Sequence, residues 1–452
     1  MRPLFVGLLA LSLALAAVAA PAKPRQLPRR AFFGAQMQPV PDSLRGKGGV
    51  PDSGGVLLGK IYDNASAKAA GLQTGDILLR LNGKLAGNAP AVAAELRNHK
   101  VGDKLAFDVL RGGKRMTRAV ALKPFPKETP PDFDVLYEAV SIGDSLRRIV
   151  ITKPRLPGKL PVVVMLGGLG CYSLDLPADQ PQPYRTILYD LTRNGFVTVR
   201  VEKTGMGDSE GPPCARMSFD DEVNGLVTAI RALTNFSYMD TSRVILLGHS
   251  MGGIEAPVVA NRVPVKGIIA IATSGITWFE YELINQRRQL LLSHMDYDSI
   301  ELAFHKKELA AHKLFVEQKS PAQIIAEDST LAEYVDYPVD YRFMQQLDSL
   351  NLAREWKTVT APVLLIYGKS DFVTDAREHR YTADEINHYH PGHAEFVEVP
   401  DMDHFFNKVS SQQASFDSLN SGPAFKTFSD QVLPVIVNWA KKTTASSETG
   451  SR

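Results

Sequence analysis

Short apolar runs alternate with helical patterns over most of the chain after residue 134. Each run is bounded by Gly or Pro, and the runs occupy residues 162–166, 196–201, 244–247, 267–272, 363–367 and 395–399. Helical spacing separates them, as in SFDDEVNGLVTAIRALTN. Apolar strands between helices are typical of a parallel sheet that is covered on both faces. Residues 134–441 therefore predict an α/β fold with a doubly wound, mostly parallel sheet.

The alternation stops between residues 276 and 356, where long polar helices rich in Gln, His, Lys and Glu take over. Because no apolar strand pattern interrupts these helices, they do not extend the sheet. We interpret residues 276–356 as a helical cap inserted into the α/β domain.

A smaller, glycine-rich unit precedes the α/β domain at residues 29–124. The stretch GVLLGKIYDNASAKAAGLQTGDILLRLNGK combines a β-like run, a short helix ending at Gly71 and a hairpin signal at Asn82-Gly83. This pattern resembles a bacterial PDZ domain, which is a small β-rich fold. The resemblance implies that a peptide C-terminus adds to a sheet edge, with its carboxylate in a loop comprising Ala31, Phe32, Phe33 and Gly34. A domain that only packs on its neighbour is the alternative.

Two stretches have compositions that do not favour a packed core. KPFPKETPPD has four prolines in ten positions, so we predict a stiff, extended linker and the domain boundary at residues 125–133. The last residues, TTASSETGSR, are small and polar, and we expect a disordered tail over residues 442–452.

The chain begins with MRPLFVGLLALSLALAAVAA, in which one Arg precedes a Leu/Ala run that ends in small residues. This layout is typical of an export signal, and we expect cleavage after residues 1–20. The mature protein is then periplasmic or secreted, with no stable membrane insertion. An uncleaved anchor is the alternative, because about 17 apolar residues can just span a bilayer.

The composition is that of a globular protein, with 44% hydrophobic and 22% charged residues in 452 positions. The length and the large apolar fraction allow more than one domain. Lys and Arg number 51 against 49 Asp and Glu, so the net charge of +2 gives no sign of a nucleic-acid partner.

Two stretches match the G-x-S-x-G pattern, GHSMG around Ser250 and GDSEG around Ser209. A nucleophile elbow requires a serine in a tight turn that leaves a strand and enters a helix at once. Ser250 follows the apolar run 244–247 and precedes a helical pattern, and the flanking glycines remove Cβ atoms that would collide. Ser209 lies in a loop, since Pro212-Pro213 follow where a helix would run. We predict Ser250 as the nucleophile.

A serine nucleophile needs a general base and an acid that orients the base. Asp371 follows the apolar run in PVLLIYGKSD, and His404 follows the run in EFVEVPDMDH. GHSMGG, GKSD and DMDH, in this order, resemble the serine esterase and peptidase branches of the α/β-hydrolases over residues 134–441. The resemblance implies Ser250 as nucleophile, Asp371 as orienting acid and His404 as general base and then acid. Asp375 is the rival acid, but we expect it to cap the next helix.

The resemblance also implies an oxyanion hole made of backbone N–H groups. One donor is the N–H of Met251, which follows the nucleophile. The second comes from the loop LGGLGC, where Leu169 and Gly168 are both candidates.

The chain has two cysteines, Cys171 and Cys214. In the hydrolase topology they end loops that follow adjacent strands, and disulfides persist in exported proteins. We therefore expect a disulfide between them that holds the oxyanion loop. Two unrelated buried thiols are the alternative.

The stretch INHYHPGH places His388, His390 and His393 close together. Their spacing matches no usual zinc site, and no acidic or Cys residue lies at a suitable distance in the sequence. We interpret the cluster as a solvated helix end and expect neither a metal ion nor a cofactor.

These features together predict an exported serine hydrolase that cleaves carboxylic esters through an acyl-enzyme. A serine peptidase of the aminopeptidase or acyl-peptidase type, acting on peptides presented by the PDZ-like domain, is an alternative because both reactions use the same triad. A non-catalytic peptide-binding scaffold is the second alternative, although the presence of Ser, His and Asp argues against it.

Overall fold

The computed structural model describes residues 26–175, 182–421 and 427–445. The export signal predicted at residues 1–20 lies outside these ranges, as does the end of the predicted tail. The strands form two extended sheets, a small one near the N-terminus and a large one after it, and each sheet has its own hydrophobic core.

The N-terminal unit is a small β-rich fold. Its elements are β1 (Ala31–Phe32), β2 (Ala35–Pro39), β3 (Val56–Ile61), α1 (Ser66–Ala69), β4 (Ile77–Leu81), β5 (Lys84–Leu85), α2 (Ala89–Arg97), β6 (Lys104–Arg111), β7 (Lys114–Ala121) and β8 (Lys123–Pro124). The order in its sheet is β2-β3-β4-β6-β7, with β5 paired to β4. Asn82 and Gly83 join β4 to β5, and both have the positive φ of a tight hairpin turn.

The C-terminal unit alternates strands and helices. Its elements are β9 (Phe133–Ile142), β10 (Ser145–Pro154), β11 (Leu160–Leu166), α3 (Pro183–Arg193), β12 (Val197–Val201), α4 (Phe219–Ala232), β13 (Met239–His249), α5 (Met251–Ala260), β14 (Gly267–Ile271), α6 (Trp278–Leu292), α7 (Tyr297–Ala311), α8 (Pro321–Glu327), α9 (Tyr341–Asp348), α10 (Leu352–Thr358), β15 (Val363–Gly368), α11 (Ala376–Tyr389), β16 (Ala394–Val399), α12 (Gln412–Ser421) and α13 (Val432–Thr444).

The large sheet has the strand order β16-β15-β14-β13-β11-β12-β10-β9. Strands β11 to β16 are parallel to one another, whereas β10 is antiparallel to both β12 and β9. All six apolar runs of the sequence are strands, and helices cover both faces, so the predicted fold class is confirmed.

Side-chain alternation along β11 shows how the two faces are covered. Val162 and Val164 belong to a core that includes residues of α4 and α5, while Val163 and Met165 face a second core with α3 and α13. Because both faces of the strand are buried, the run is apolar throughout, which is why periodicity identified it. Since β11, β13, β15 and β16 are parallel to one another, their carboxyl ends lie at the same edge of the sheet.

The helical insertion lies between β14 and β15, as predicted, but its end point needs correction. The interpretation placed residues 276–356 in a cap. Helix α10 instead packs on α5 and α11 of the domain body, where Asn261 after α5 donates a hydrogen bond to the Glu355 carbonyl. The tail also begins later than expected, because α13 continues to Thr444.

The segment predicted to be only an extended linker is packed against both units. The rings of Phe125 and Phe32 are 4.8 Å apart between centroids. Glu128 accepts two hydrogen bonds of 2.8 Å from Arg200, and both side chains are buried. The linker thus lies on the surface of the C-terminal unit and is not surrounded by solvent, which is why its Glu128 can form a buried ion pair.

Two arginines just before β1 bind the loops that follow β11 and β12. The Arg29 guanidinium donates to Asp175 at 2.7 Å and to Asp208 at 2.6 Å, and both carboxylates are fully buried. The Arg30 backbone N–H also donates to Asp208, and its side chain donates to the Asp175 carbonyl. The two units therefore share a buried ionic interface.

Glu202, directly after β12, lies beneath this interface and is fully buried. One of its carboxyl oxygens accepts a hydrogen bond of 2.8 Å from Ser173. Burial raises the pKa of the Glu202 carboxyl to about 7, although the Ser173 hydrogen bond and the Arg30 charge oppose the shift. The folded protein therefore favours the protonated form of this group.

We predict that Glu202→Gln becomes progressively more stable than the wild type as the pH rises. The folded pKa lies above the unfolded value, so the stability that Glu202 contributes is complete below about pH 4 and is lost up to about pH 7. Gln cannot ionise, so the variant avoids this loss. Its free energy of unfolding, relative to that of the wild type, should rise by about 3 kcal/mol between these two pH values. Urea unfolding at closely spaced pH values measures the difference; a difference independent of pH would contradict the assignment.

Candidate active site

Ser250 occupies a strained turn between β13 and α5. Its φ of 54° and ψ of −117° are unusual for a residue with a side chain. A Cβ on Gly248 would lie 2.2 Å from the Gly252 carbonyl oxygen, and a Cβ on Gly252 would lie 2.2 Å from that of Leu166. The glycines of GHSMGG are thus required by close backbone contacts, and the turn presents Ser250 above the sheet edge.

The structure brings Ser250, His404 and Asp371 into one hydrogen-bonded row. His404 lies in the loop after β16, and its Nε2 is 3.2 Å from the Ser250 Oγ. The His404 Nδ1 is 3.0 Å from an Asp371 carboxylate oxygen. Since a carboxylate only accepts, Nδ1 carries the proton and Nε2 is free to accept one from the serine. This arrangement can deprotonate the hydroxyl.

Hydrogen bonds fix the ionised form of Asp371, which is fully buried. The backbone N–H groups of Val373 and Thr374 donate to one carboxylate oxygen, and the Thr374 hydroxyl donates to the other at 2.6 Å. Burial alone would raise the pKa of Asp371, but the charge and hydrogen bond of His404 and the Thr374 contacts outweigh it and lower the pKa. The rival Asp375 caps α11 by accepting from the Arg377 N–H.

A second histidine, His249, which the sequence reasoning missed, makes a hydrogen bond to the main chain of His404. His249 Nε2 is 2.8 Å from the His404 carbonyl oxygen and therefore donates to it. The His249 Nδ1 then accepts from the Tyr184 hydroxyl at 2.6 Å. Burial, followed by the charge of His404, lowers the pKa of His249 to about 3, so the ring stays neutral. The sequence signal that could have indicated a role for His249 is its place as a polar residue at the end of the apolar strand β13.

The loop after β11 lies beside Ser250. A Cβ on Gly168 would be 3.6 Å from the Ser250 Cβ. The Gly168 N–H already donates to the Tyr184 hydroxyl at 3.3 Å, which leaves Leu169 as the better of the two predicted donors. Met251 is the first residue of α5, so its N–H has no acceptor within the helix. Leu169 and Met251 are thus the two candidate donors.

A disulfide joins Cys171 and Cys214. Cys171 lies in the loop after β11, which also contains Gly168, and Cys214 lies in the loop after β12. The bridge therefore links two loops at the sheet edge that carries Ser250. In the chain-entropy view, closing a long loop of this kind stabilises a fold by about 4 kcal/mol.

The remaining candidates lie away from this row. Ser209 is in the loop after β12, where its hydroxyl accepts a hydrogen bond from the Arg148 N–H. His390 contacts the Lys357 carbonyl, and the rings of His390 and His393 stack on each other at the end of α11. Within the described ranges, no group of three or more His, Cys, Asp or Glu side chains has the arrangement of a metal site.

The predicted carboxylate loop of the N-terminal unit is only partly a loop. Ala31 and Phe32 form β1 and pair with β8, whereas the sequence predicted a loop over all four residues. The carbonyl groups of Phe33 and Gly34 accept hydrogen bonds from the N–H groups of Ala67 and Tyr62. The turn leads directly into β2, which is an edge strand of its sheet.

Comparison with protein families identifies both units. A model of the serine aminopeptidase S33 family matches residues 178–405, which is half of the chain and includes Ser250, Asp371 and His404. A PDZ domain model matches residues 32–122. The N-terminal unit is a PDZ domain, and both resemblances noted in the sequence are confirmed.

Individual relatives match only parts of the chain. The esterase EstD of Thermotoga maritima is 23% identical over 292 residues, which are 65% of this chain and 65% of that protein. A DegP-like periplasmic serine endoprotease of Marinomonas sp. is 31% identical over 102 residues, 22% of this chain and 21% of that protein. The solved structure of DcsB with a substrate analogue is 17% identical, with a TM-score of 0.45, over 69% of this chain and 99% of that one.

We predict that Tyr184→Phe destabilises the fold by about 1–3 kcal/mol. The Gly168 N–H and the His249 Nδ1 are both buried, and both would lose the Tyr184 hydroxyl as their hydrogen-bond partner. Tyr238→Phe is the matched control, since its hydroxyl is buried without a hydrogen-bond partner in the part of the chain that the structure describes. Urea unfolding of the two variants measures both effects. Equal stability of Tyr184→Phe and Tyr238→Phe would show that the Tyr184 hydroxyl makes no net contribution.

Proposed function

The chain belongs to the serine aminopeptidase S33 family, and we propose that it is a serine hydrolase that cleaves carboxylic esters through an acyl-enzyme. The observation that carries this proposal is the row of hydrogen bonds from Asp371 through His404 to Ser250. The strained position of Ser250 between β13 and α5 adds support, because an exposed hydroxyl at such a turn is the feature of a nucleophile elbow.

In the proposed reaction, His404 Nε2 takes the proton of Ser250 as Oγ attacks the ester carbonyl carbon. The resulting oxyanion accepts hydrogen bonds from the N–H groups of Met251 and Leu169. His404 then gives its proton to the leaving alcohol, and the acyl group remains on Ser250. Water deprotonated by His404 attacks this acyl-enzyme and releases the acid. Asp371 stays ionised throughout and stabilises the charged His404.

An aminopeptidase reaction is the second candidate, because the family model that matches the chain describes serine aminopeptidases. The acylation chemistry is the same for an amide, so the choice depends on the leaving group that the cap admits. The similarity to EstD favours an ester. We therefore rank ester cleavage first and test both substrate classes together.

We also propose that the PDZ domain binds a peptide C-terminus and that the protein acts after export. The free edge of β2, next to the turn at Gly34, supports the first point. The apolar start of the chain, the disulfide and the similarity to a periplasmic protease support the second. None of the described helices has the length and apolar character needed to cross a membrane.

We predict that Ser250→Ala and Asp371→Asn each lower kcat/KM for aryl esters by about 10⁴-fold or more. Ser250→Ala removes the attacking atom, and Asp371→Asn loses the charge that fixes the His404 tautomer. Initial rates with short- and long-chain aryl esters and aminoacyl anilides at pH 8, where an ordinary imidazole is neutral, measure the effect. Labelling by a fluorophosphonate provides a substrate-independent readout of Ser250.

Ser209→Ala and Asp375→Asn are the matched controls, since each makes the same chemical change outside the row, and both should keep wild-type rates. Anilide turnover that exceeds ester turnover would select the aminopeptidase reaction. Equal labelling of wild type and Ser250→Ala would contradict the proposed nucleophile. A wild-type protein that neither reacts with the probe nor turns over any substrate would favour a non-catalytic peptide-binding scaffold.

A further inference from the structure

A buried lysine holds the loop that faces the nucleophile. Lys203 follows β12 and is only 6% exposed. Its ammonium donates a hydrogen bond of 3.1 Å to the Gly168 carbonyl and lies 2.9 Å from a carboxylate oxygen of Glu222 on α4. The Tyr172 hydroxyl donates to the same carbonyl at 3.3 Å. The peptide group between Gly168 and Leu169 is therefore held from its carbonyl side by a charged donor.

The planarity of the peptide group between Gly168 and Leu169 determines the direction of the Leu169 N–H. In a trans peptide the C=O and the following N–H point in opposite directions. Since the Gly168 carbonyl points to Lys203, the Leu169 N–H points away from Lys203. Gly168 itself lies against Ser250, with only 3.6 Å between a Cβ built on it and the Ser250 Cβ. Lys203 thus orients the Leu169 N–H, which of the two predicted donors is the one that Tyr184 does not bind.

Glu222 pairs with this lysine, and a second buried acid, Glu255, lies near the pair. Glu222 is 4% exposed and Glu255, on the nucleophile helix α5, is 1% exposed. Neither carboxyl oxygen of Glu255 has a hydrogen-bond partner within the described ranges. Burial and the neighbouring Glu222 raise the pKa of Glu255, while the Lys203 charge opposes this shift. A buried lysine–glutamate ion pair is an expensive arrangement for stability alone, since apolar residues can often replace buried ion pairs without loss.

We propose, resting on the proposed function, that Lys203 is a positioning residue of the hydrolase reaction. It holds the Gly168 carbonyl so that the Leu169 N–H is directed at the oxyanion that forms on the substrate. Glu222 orients Lys203, and the two together link the loop after β11 to α4. Without the ammonium, the peptide between Gly168 and Leu169 is free to rotate, and the Leu169 N–H no longer meets the developing charge.

The test uses the full-length protein with Lys203→Met, which keeps the apolar stem and removes the charge. We expect kcat for an aryl ester to fall about 10- to 100-fold, somewhat less than the loss on removing an oxyanion donor outright, with KM changed less than about threefold. Lys203→Arg retains a charged donor and should recover part of the rate. Arg111→Met, which breaks an ion pair with the buried Asp76 in the PDZ domain, should leave kcat unchanged.

A second readout separates positioning from a general structural effect. A thionoester of the same acid and alcohol forms a thiolate, which N–H donors stabilise poorly, so loss of the oxyanion contact should lower the ester-to-thionoester ratio of kcat/KM. This ratio does not depend on the amount of folded enzyme, so it remains informative where Lys203→Met yields little protein. Glu222→Gln, which leaves Lys203 in place, is the second variant and should lower the ratio by a smaller factor.

The outcomes distinguish the two proposals. A lower ratio together with lower kcat supports the positioning role of Lys203. A wild-type ratio in Lys203→Met and in Glu222→Gln, whether or not kcat falls, overturns that role and leaves the proposed function intact. A wild-type protein without ester turnover, or with turnover that survives Ser250→Ala, overturns the proposed function itself.

Discussion

The close backbone packing of Gly248 against Gly252, and of Gly252 against the end of β11, is the constraint on which the candidate site depends. Gly248 and Gly252 approach carbonyl oxygens so closely that no Cβ fits at either position. This packing forces the chain through a left-handed φ at Ser250 and starts α5 at the next residue. Because main-chain atoms make the contact, the positions of Ser250 and of the Met251 N–H are determined together.

Four loops complete the site because parallel strands end at the same edge of the sheet. Polar groups hold three of these loops, and the close glycine contacts hold the fourth, the turn at Ser250. The Asp371 carboxylate accepts backbone N–H groups within its turn, and Asp403 does the same beside His404, where it accepts from Phe405 and Asn407. Lys203 holds the loop at Gly168, and the disulfide joins that loop to its neighbour. Contacts of this kind therefore connect all four loops of the candidate site to their surroundings.

The sequence predicted the features that depend on local pattern. The six apolar runs, the Ser250 turn and the capping role of Asp375 follow from spacing within a few residues, and the resemblance to known families related Asp371 and His404 to Ser250. The contributions of Tyr184, His249 and Lys203 could not be predicted, because each acts on a residue far away in the chain, as Lys203 does on Gly168. His249 at the end of β13 and Lys203 shortly after β12 were marked locally only as polar residues beside apolar strands, and Tyr184, near the start of α3, had no such mark.

The ionic interface between the two units has a consequence for the role of the PDZ domain. Asp175 and Asp208 belong to the loops after β11 and β12, the same loops that the disulfide joins. Without Arg29 and Arg30, Asp175 would lose both of its cations and would remain buried and unpaired, which is strongly unfavourable. The residues that lead into β1 thus neutralise charge beside the loop at Gly168. The segment that leads into the PDZ domain is therefore packed against the α/β unit through these ion pairs.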